Sequence, residues 1–226
     1  MPKEKSKMSK NSIFIILSLL LLFILFYKSF WLSIVGVVIL GIMNYLYFRK
    51  PKDYPLLNKD FIYDPTTNLV SAIYFRHHLT EDFQKAKRNN KPLSILVFDI
   101  DHFKEINLNL GFRFGDLLLY EIAQIVTSCL RTSDVLSYFG GDEFGVILAD
   151  IDKENAVKVG ERIRNRLTSS PLTISVDGRE EKIHFTISMG GATLTPEMET
   201  PLDLLDRARL NLEKARRQGG NNFIFE

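Results

Sequence analysis

The sequence predicts an α/β sandwich: one mixed sheet of about five strands flanked by helices, plus a β-hairpin, with two transmembrane helices in front of it. Three observations predict this. From about residue 60 onward, short apolar runs of strand type alternate with stretches of helical periodicity. Two pairs of such runs are joined by turn dipeptides, Gly140-Gly141 and Asp177-Gly178, which favour tight hairpins because both turn residues can take positive φ. Before residue 50 the chain is almost wholly apolar over two long runs, and about 20 such residues cross a bilayer core.

The apolar runs cover residues 13–27 (IFIILSLLLLFILFY) and 30–48, with Lys28 and Ser29 between them. They predict spans over about 12–28 and 30–48. Lys3, Lys5, Lys7 and Lys10 precede the pair, and Arg49, Lys50 and Lys52 follow it. Positive flanks stay cytoplasmic, so both ends are expected inside. No small-residue cleavage site follows Tyr27, which argues against a removable signal peptide. Residues 51–59, with Pro51 and Pro55, read as a linker, and 60–226 as one globular domain.

In the domain, Asp64-Pro65-Thr66-Thr67 is turn chemistry, with Asp or Thr as the expected cap of a helix over 70–88. Residues 93–98 (LSILVF) read as a buried central strand. A short helix follows over 103–109, a loop over 111–116, and an amphipathic helix over 117–130. Residues 135–139 and 144–148 are the arms of the Gly-Gly hairpin. A helix is expected over 154–167. Strands over 172–176 and 183–188 form the second hairpin, and 189–192 continue or bulge it. A helix over 201–217 and an edge strand over 222–225 complete the order.

The formal net charge of +2 argues against a nucleic-acid surface. The single cysteine, Cys129, lies in an apolar helical pattern and is expected to be a buried core thiol. Acidic residues are placed more pointedly. Asp99 and Asp101 leave the central strand, and Asp142 and Glu143 leave the glycine turn. One aspartate of the first pair is expected to cap the next helix and the other to bind. If the two strands are neighbours, the carboxylates converge, and an oxygen-only cluster suits Mg²⁺ or Mn²⁺ rather than zinc. Such clusters serve phosphoryl transfer on nucleotides.

Phe139-Gly-Gly-Asp-Glu-Phe144 resembles the signature of the GGDEF domain, the catalytic module of bacterial diguanylate cyclases. Other blocks fall in that family's order: Asp64-x-x-Thr67-x-Leu69, the run from Phe98 to Asn107, Gly115-Asp116, Arg131-x-x-Asp134, Thr186 to Gly190, and Ala215-Arg216 with Gly219 and Asn221. The resemblance implies a nucleotidyl-cyclase-like fold and a homodimer that condenses two GTP into cyclic di-GMP and two pyrophosphates. It implies metal ligation by Asp99, Asp142 and the Ile100 carbonyl, assisted by Glu143, with Asp142 or Glu143 taking the proton. Asn107 and Asp116 would read guanine. Lys104, the backbone near Phe103, and Arg216 would hold phosphates. Arg131 and Asp134 would form a product-inhibition site, with Arg162 as a secondary contact from a neighbouring domain. The setting implied is a bacterial inner membrane, in contact with lipid, with the domain in the cytoplasm.

The chain departs from the pattern at Asn68 (for glycine), Ser71-Ala72-Ile73, Leu108 (for aspartate), Phe112 (for histidine), Tyr138 (for arginine), Arg209 (for aspartate), Glu213 (for tyrosine) and Gly220 (for arginine). Lost positive charge near the phosphates implies weaker GTP binding. The alternative expectation is a degenerate domain that binds GTP or cyclic di-GMP and regulates a partner.

Overall fold

A computed structural model of the chain describes residues 62–226. The expected spans over 12–28 and 30–48 and the 51–59 linker lie outside the described residues. Among the described residues, no helix is long and apolar enough to cross a membrane.

In chain order the elements are β1 (Val70–Ser71), α1 (Ala72–Asn89), β2 (Leu93–Ile100), α2 (Phe103–Leu110), α3 (Phe112–Ser128), β3 (Val135–Gly140), β4 (Glu143–Ala149), α4 (Lys153–Thr168), β5 (Leu172–Val176), β6 (Arg179–Ile183), β7 (Ile187–Thr193), α5 (Pro201–Arg217) and β8 (Phe223–Phe225). Six strands form a mixed sheet in the order β1-β3-β4-β2-β7-β8, and β5-β6 stand apart as a ribbon. The mixed sheet, flanking helices and separate hairpin agree with the expectation. The sixth strand is β1, whose two residues pair in parallel with Ser137 and Tyr138. A strand of two residues carries no readable periodicity.

Strand β2 is buried along its whole length because β4 and β7 cover both of its edges and helices cover both faces. Side chains alternate between the faces. Leu96, Phe98 and Ile100 join the core with α3 and α4. Leu93, Ile95 and Val97 join the core with α1 and α5. By the same alternation Asp99 belongs to the α1/α5 face.

Helix α5 lies closest to the sheet at β7. A β-carbon on Gly190 would overlap the Leu212 amide nitrogen and the Ala208 carbonyl oxygen. Asn211 is buried and donates from Nδ2 to the Gly191 carbonyl at 2.9 Å. Thr200 and Asp203 cap the start of α5 reciprocally, and Pro201 opens it.

Several local expectations are corrected. Helix α1 is capped by Ser71, whose side chain accepts from the Tyr74 amide. Asp64 instead closes its own turn, accepting from the Thr66 and Thr67 amides and the Thr67 hydroxyl. The expected 111–116 loop is mostly helix, because Gly111, at φ 96°, makes the whole turn and α3 begins at Phe112. The second hairpin closes on Arg179 rather than Ile183: Asp177 and Gly178 both have positive φ, so the returning strand β6 starts at once. Residues 187–193 then form a separate strand of the main sheet. Cys129 is only half-buried and forms the C-cap of α3.

Gly190→Ala is expected to destabilise the fold by about 1–3 kcal/mol, the usual cost of forcing atoms into a filled core. Denaturant unfolding of the full-length chain measures this; an unchanged midpoint would contradict the close contact.

Candidate active site

Strand pairing brings the two acidic segments together. Asp99 on β2 lies opposite Glu143, the first residue of β4. Gly140 ends β3 opposite Glu143, so the two-residue turn is Gly141-Asp142 rather than the expected Gly140-Gly141; Asp142 stands at the tip and Glu143 in the ladder. The Tyr138 hydroxyl donates to the Gly141 carbonyl at 2.9 Å and ties the turn to its own strand. Burial, followed by the charges of Asp64, Asp116 and Asp142, pushes the Tyr138 phenol up to about 12. It therefore stays a neutral donor.

The four carboxylates of this region have different surroundings. Asp99 is 2% exposed. Its Oδ2 accepts from Arg216 Nη1 at 2.8 Å, whereas Oδ1 is buried without a partner. Burial pushes its carboxyl up to about 7; Arg216 opposes the rise, and the charges of Asp142, Asp101 and Glu143 add to it. Glu143 Oε1 accepts from Arg209 Nε at 2.8 Å. Asp101 accepts from Thr186 Oγ1 and Ser188 Oγ, both at 2.6 Å, and from the Asn221 amide at 2.8 Å. The expectation that one aspartate caps α2 is thus corrected. Residue 102 takes the cap position without a side-chain bond, and Asp101 joins β2 to β7 and the 219–222 turn. Asp142 has no hydrogen bond or ion pair to another described residue.

This donor set fits a divalent cation held by two carboxylates and a carbonyl. Asp99 supplies an unsatisfied oxygen; burial, and then the neighbouring carboxylates, disfavour its charged form, and a dication would offset both. A preassembled cluster of three ligating side chains is absent among the described residues. Glu143 is committed to Arg209 instead.

Helices α2 and α3 meet at Gly115. A β-carbon there would overlap Asn107 Oδ1 and crowd the Phe103 ring. Asn107 Oδ1 is buried against Gly115 and has no hydrogen-bond partner among the described residues. Asp116 is exposed one residue further on. Lys104 is exposed, while the Phe103 side chain is buried in the core, so only its backbone is open to a ligand.

Arg131 and Asp134 lie in the turn between α3 and β3, away from these carboxylates in the chain. The Arg131 amide donates to Asp134 Oδ2 at 2.9 Å, leaving the exposed guanidinium free of that bond. Asp134 Oδ1 is buried and unpartnered. A cavity of about 390 Å³ opens beside them, lined in part by Tyr63, Tyr74, His78 and Leu130. Arg162 donates to the Cys129 carbonyl at 2.6 Å, so here it serves its own chain.

A family profile described as "Diguanylate cyclase, GGDEF domain" matches residues 61–222. The chain belongs to the GGDEF family. The response regulator PleD of Caulobacter vibrioides is 35% identical over 178 residues, covering 79% of this chain and 38% of PleD. Diguanylate cyclase A of Treponema denticola is 32% identical over 171 residues, 73% of this chain and 45% of that protein. The chain thus spans less than half the length of these relatives. The GGDEF domain of DgcB from Caulobacter crescentus, solved with c-di-GMP, shares the fold at TM-score 0.69 and 24% identity, over 77% of this chain and 98% of that one.

Two residues of this GGDEF domain matter more than the sequence alone suggested. Arg209 stood out only as a departure, yet it and Arg216, seven positions apart, share one face of α5, a spacing of two helical turns. Asp101 was legible as an acidic strand end, but its three partners come from distant segments.

The Asp99 value sets a pH dependence. The folded state binds a proton near pH 7 where the isolated group has a value of 3.8. Protonation therefore favours folding, and that contribution is complete below about pH 4 and lost as the pH rises through 7. In metal-free buffer the melting temperature is expected to fall from pH 5 to pH 8, and Asp99→Asn is expected to flatten this slope. An identical slope in the variant would show that other groups set it.

Proposed function

We propose that this chain is a diguanylate cyclase that condenses two GTP into cyclic di-GMP and two pyrophosphates, with one GTP on each of two facing domains. The observation that carries the proposal is Asp99: a buried carboxylate with an open oxygen, register-paired with the glycine-turn strand, in a member of the GGDEF family.

Each chain would contribute half of the site. Asn107 Oδ1 would accept from the guanine amino group, and Asp116 would accept from the ring N–H and amino group. Adenine lacks that donor pair. Lys104, the backbone near Phe103, and Arg216 would hold the β- and γ-phosphates. A divalent cation, Mg²⁺ or Mn²⁺, bound by Asp99, Asp142 and the Ile100 carbonyl, would neutralise phosphate charge and lower the pKa of the attacking 3′-hydroxyl. That hydroxyl oxygen forms a bond to the α-phosphorus of the partner's GTP. The bond from that phosphorus to the bridging oxygen breaks, and pyrophosphate leaves with the electron pair. Asp142 would accept the hydroxyl proton, because Glu143 is held by Arg209. Two such transfers close the ring, and neither needs a covalent protein intermediate.

The cavity beside Arg131 and Asp134 supports feedback inhibition by product. The free Arg131 guanidinium suits phosphate, and the open Asp134 Oδ1 suits a base N–H. The resemblance assigns Arg162 a contact from a second domain, which its bond to Cys129 would have to release.

Full-length protein with GTP and Mg²⁺ should yield cyclic di-GMP by chromatography, and Asp142→Ala should lower the rate on the order of 100-fold or more. Arg131→Ala should let product accumulate beyond the plateau of the unmodified chain. No product from either form would leave a GTP- or cyclic di-GMP-binding module, the function favoured by the loss of cations at Tyr138 and Gly220.

The two apolar runs support anchoring in the bacterial inner membrane, with both ends and the GGDEF domain in the cytoplasm. Lateral confinement would also raise the rate at which two domains meet. Salt-washed membranes are expected to retain the chain and to lose it when residues 1–50 are deleted; retention after deletion would refute the anchor.

A further inference from the structure

The Arg209 guanidinium is fixed on two sides. Nε lies 2.8 Å from Glu143 Oε1. The guanidinium plane also lies over the Phe139 ring, 5.4 Å from its centroid. Phe139 is itself wedged: it meets Phe75 edge-on at 4.8 Å, and its ring fills the space that a β-carbon on Gly145 would need. The cation therefore rests on a ring packed against Phe75 and Gly145, and Arg rather than Lys is suited to lie over a ring and donate at once. One turn-pair further along the same face of α5, Arg216 grips Asp99 but leaves Oδ1 open. Each arginine thus takes one oxygen of its carboxylate, and Arg209 is held in addition by the Phe139 ring.

We infer that Arg209 is a positioning residue that withholds Glu143 from the metal site and so sets the divalent-ion concentration at which the site fills. The inference rests on the proposed metal role of Asp99 and Asp142. An incoming dication must either do without Glu143 Oε1 or displace a guanidinium that is hydrogen-bonded and rests over an aromatic ring. It also meets a fixed positive charge at close range. Both effects weaken binding, and both vanish when the guanidinium is removed. The pair is part-exposed, with the side chains 44% and 29% accessible, so exchange needs no unfolding.

Mn²⁺ titration of the full-length chain, with free Mn²⁺ followed by electron paramagnetic resonance, tests this without reference to turnover. Arg209→Ala should tighten Mn²⁺ binding by about 2- to 5-fold, the scale of one part-exposed ion pair. Arg209→Lys should fall between Ala and the unmodified chain, since it keeps the charge but loses the fork. Asp99→Asn reports whether the bound ion is at this site. If Asp99→Asn abolishes binding but Arg209→Ala leaves the affinity unchanged or weaker, the inference is overturned and the metal site stands. If Asp99→Asn binds Mn²⁺ as well as the unmodified chain, the metal site falls and the inference with it. Matching melting temperatures for the Arg209 variants confirm that the change is not one of folding.

Discussion

Helix α5 approaches strand β7 until backbone meets backbone at Gly190, and the charge layout of the site depends on that contact. A helix resting on side chains can slide as those side chains change rotamer. A helix resting on a strand backbone has little such freedom. The Asn211 bond to the Gly191 carbonyl fixes its rotation as well as its height. Arg209 and Arg216 are then held two turns apart over the ends of β2 and β4. Residue alternation on β2 brings Asp99 to that same face. The pairing of two cations with two carboxylates is thus set by strand register and a backbone contact rather than by flexible side chains finding one another.

The fold gives each carboxylate a different degree of satisfaction. A buried charge is costly unless paired and hydrogen-bonded. Asp101 receives three donors and becomes a structural link. Asp99 receives one cation and keeps one open oxygen. Glu143 is neutralised by Arg209, and Asp142 stands at an open turn. Similar residues within a few positions of each other therefore divide into one fully hydrogen-bonded, two paired with an arginine and one left unpaired. Local sequence could not separate them, because the distinction comes from Thr186, Ser188, Arg209, Arg216 and Asn221.

Features set by neighbours in sequence were legible. The β2 run, the presence of a tight hairpin at the glycine pair, the α5 pattern and the location of Asp99 and Asp142 all follow from local periodicity and turn chemistry; the hairpin's turn falls one residue later, on Gly141-Asp142. Features set by distant partners were not. Strand β1 exists only because β3 offers it an edge. The split between β6 and β7 reflects the early closure of a two-residue turn and the pull of β2 on residues 187–193. The 111–116 segment looked like a loop because its glycines are two; only Gly111 bends the backbone, while Gly115 lies inside α3 to admit Asn107. The Asn107 assignment itself was readable only through family resemblance.

The departures from the family pattern take on a consistent physical meaning. Gly220 has φ 76°, and a β-carbon there would lie 3.0 Å from Asp101 Oδ1. A glycine suits a turn that must donate the next amide, that of Asn221, to the same carboxylate. Tyr138 gives up a cation but supplies the hydroxyl that closes the glycine turn on itself. Arg209 adds a cation where it meets Glu143 rather than open solvent. Positive charge has therefore moved from the side where phosphates would bind to the side where the carboxylates gather. On the proposed reading such a shift would leave the fold intact and lower two affinities together: the triphosphate would lose counter-charge, and the dication would meet competition. If Mg²⁺ and the triphosphate enter the proposed site as partners, weakening each alone would make the site most sensitive to the concentration of both together.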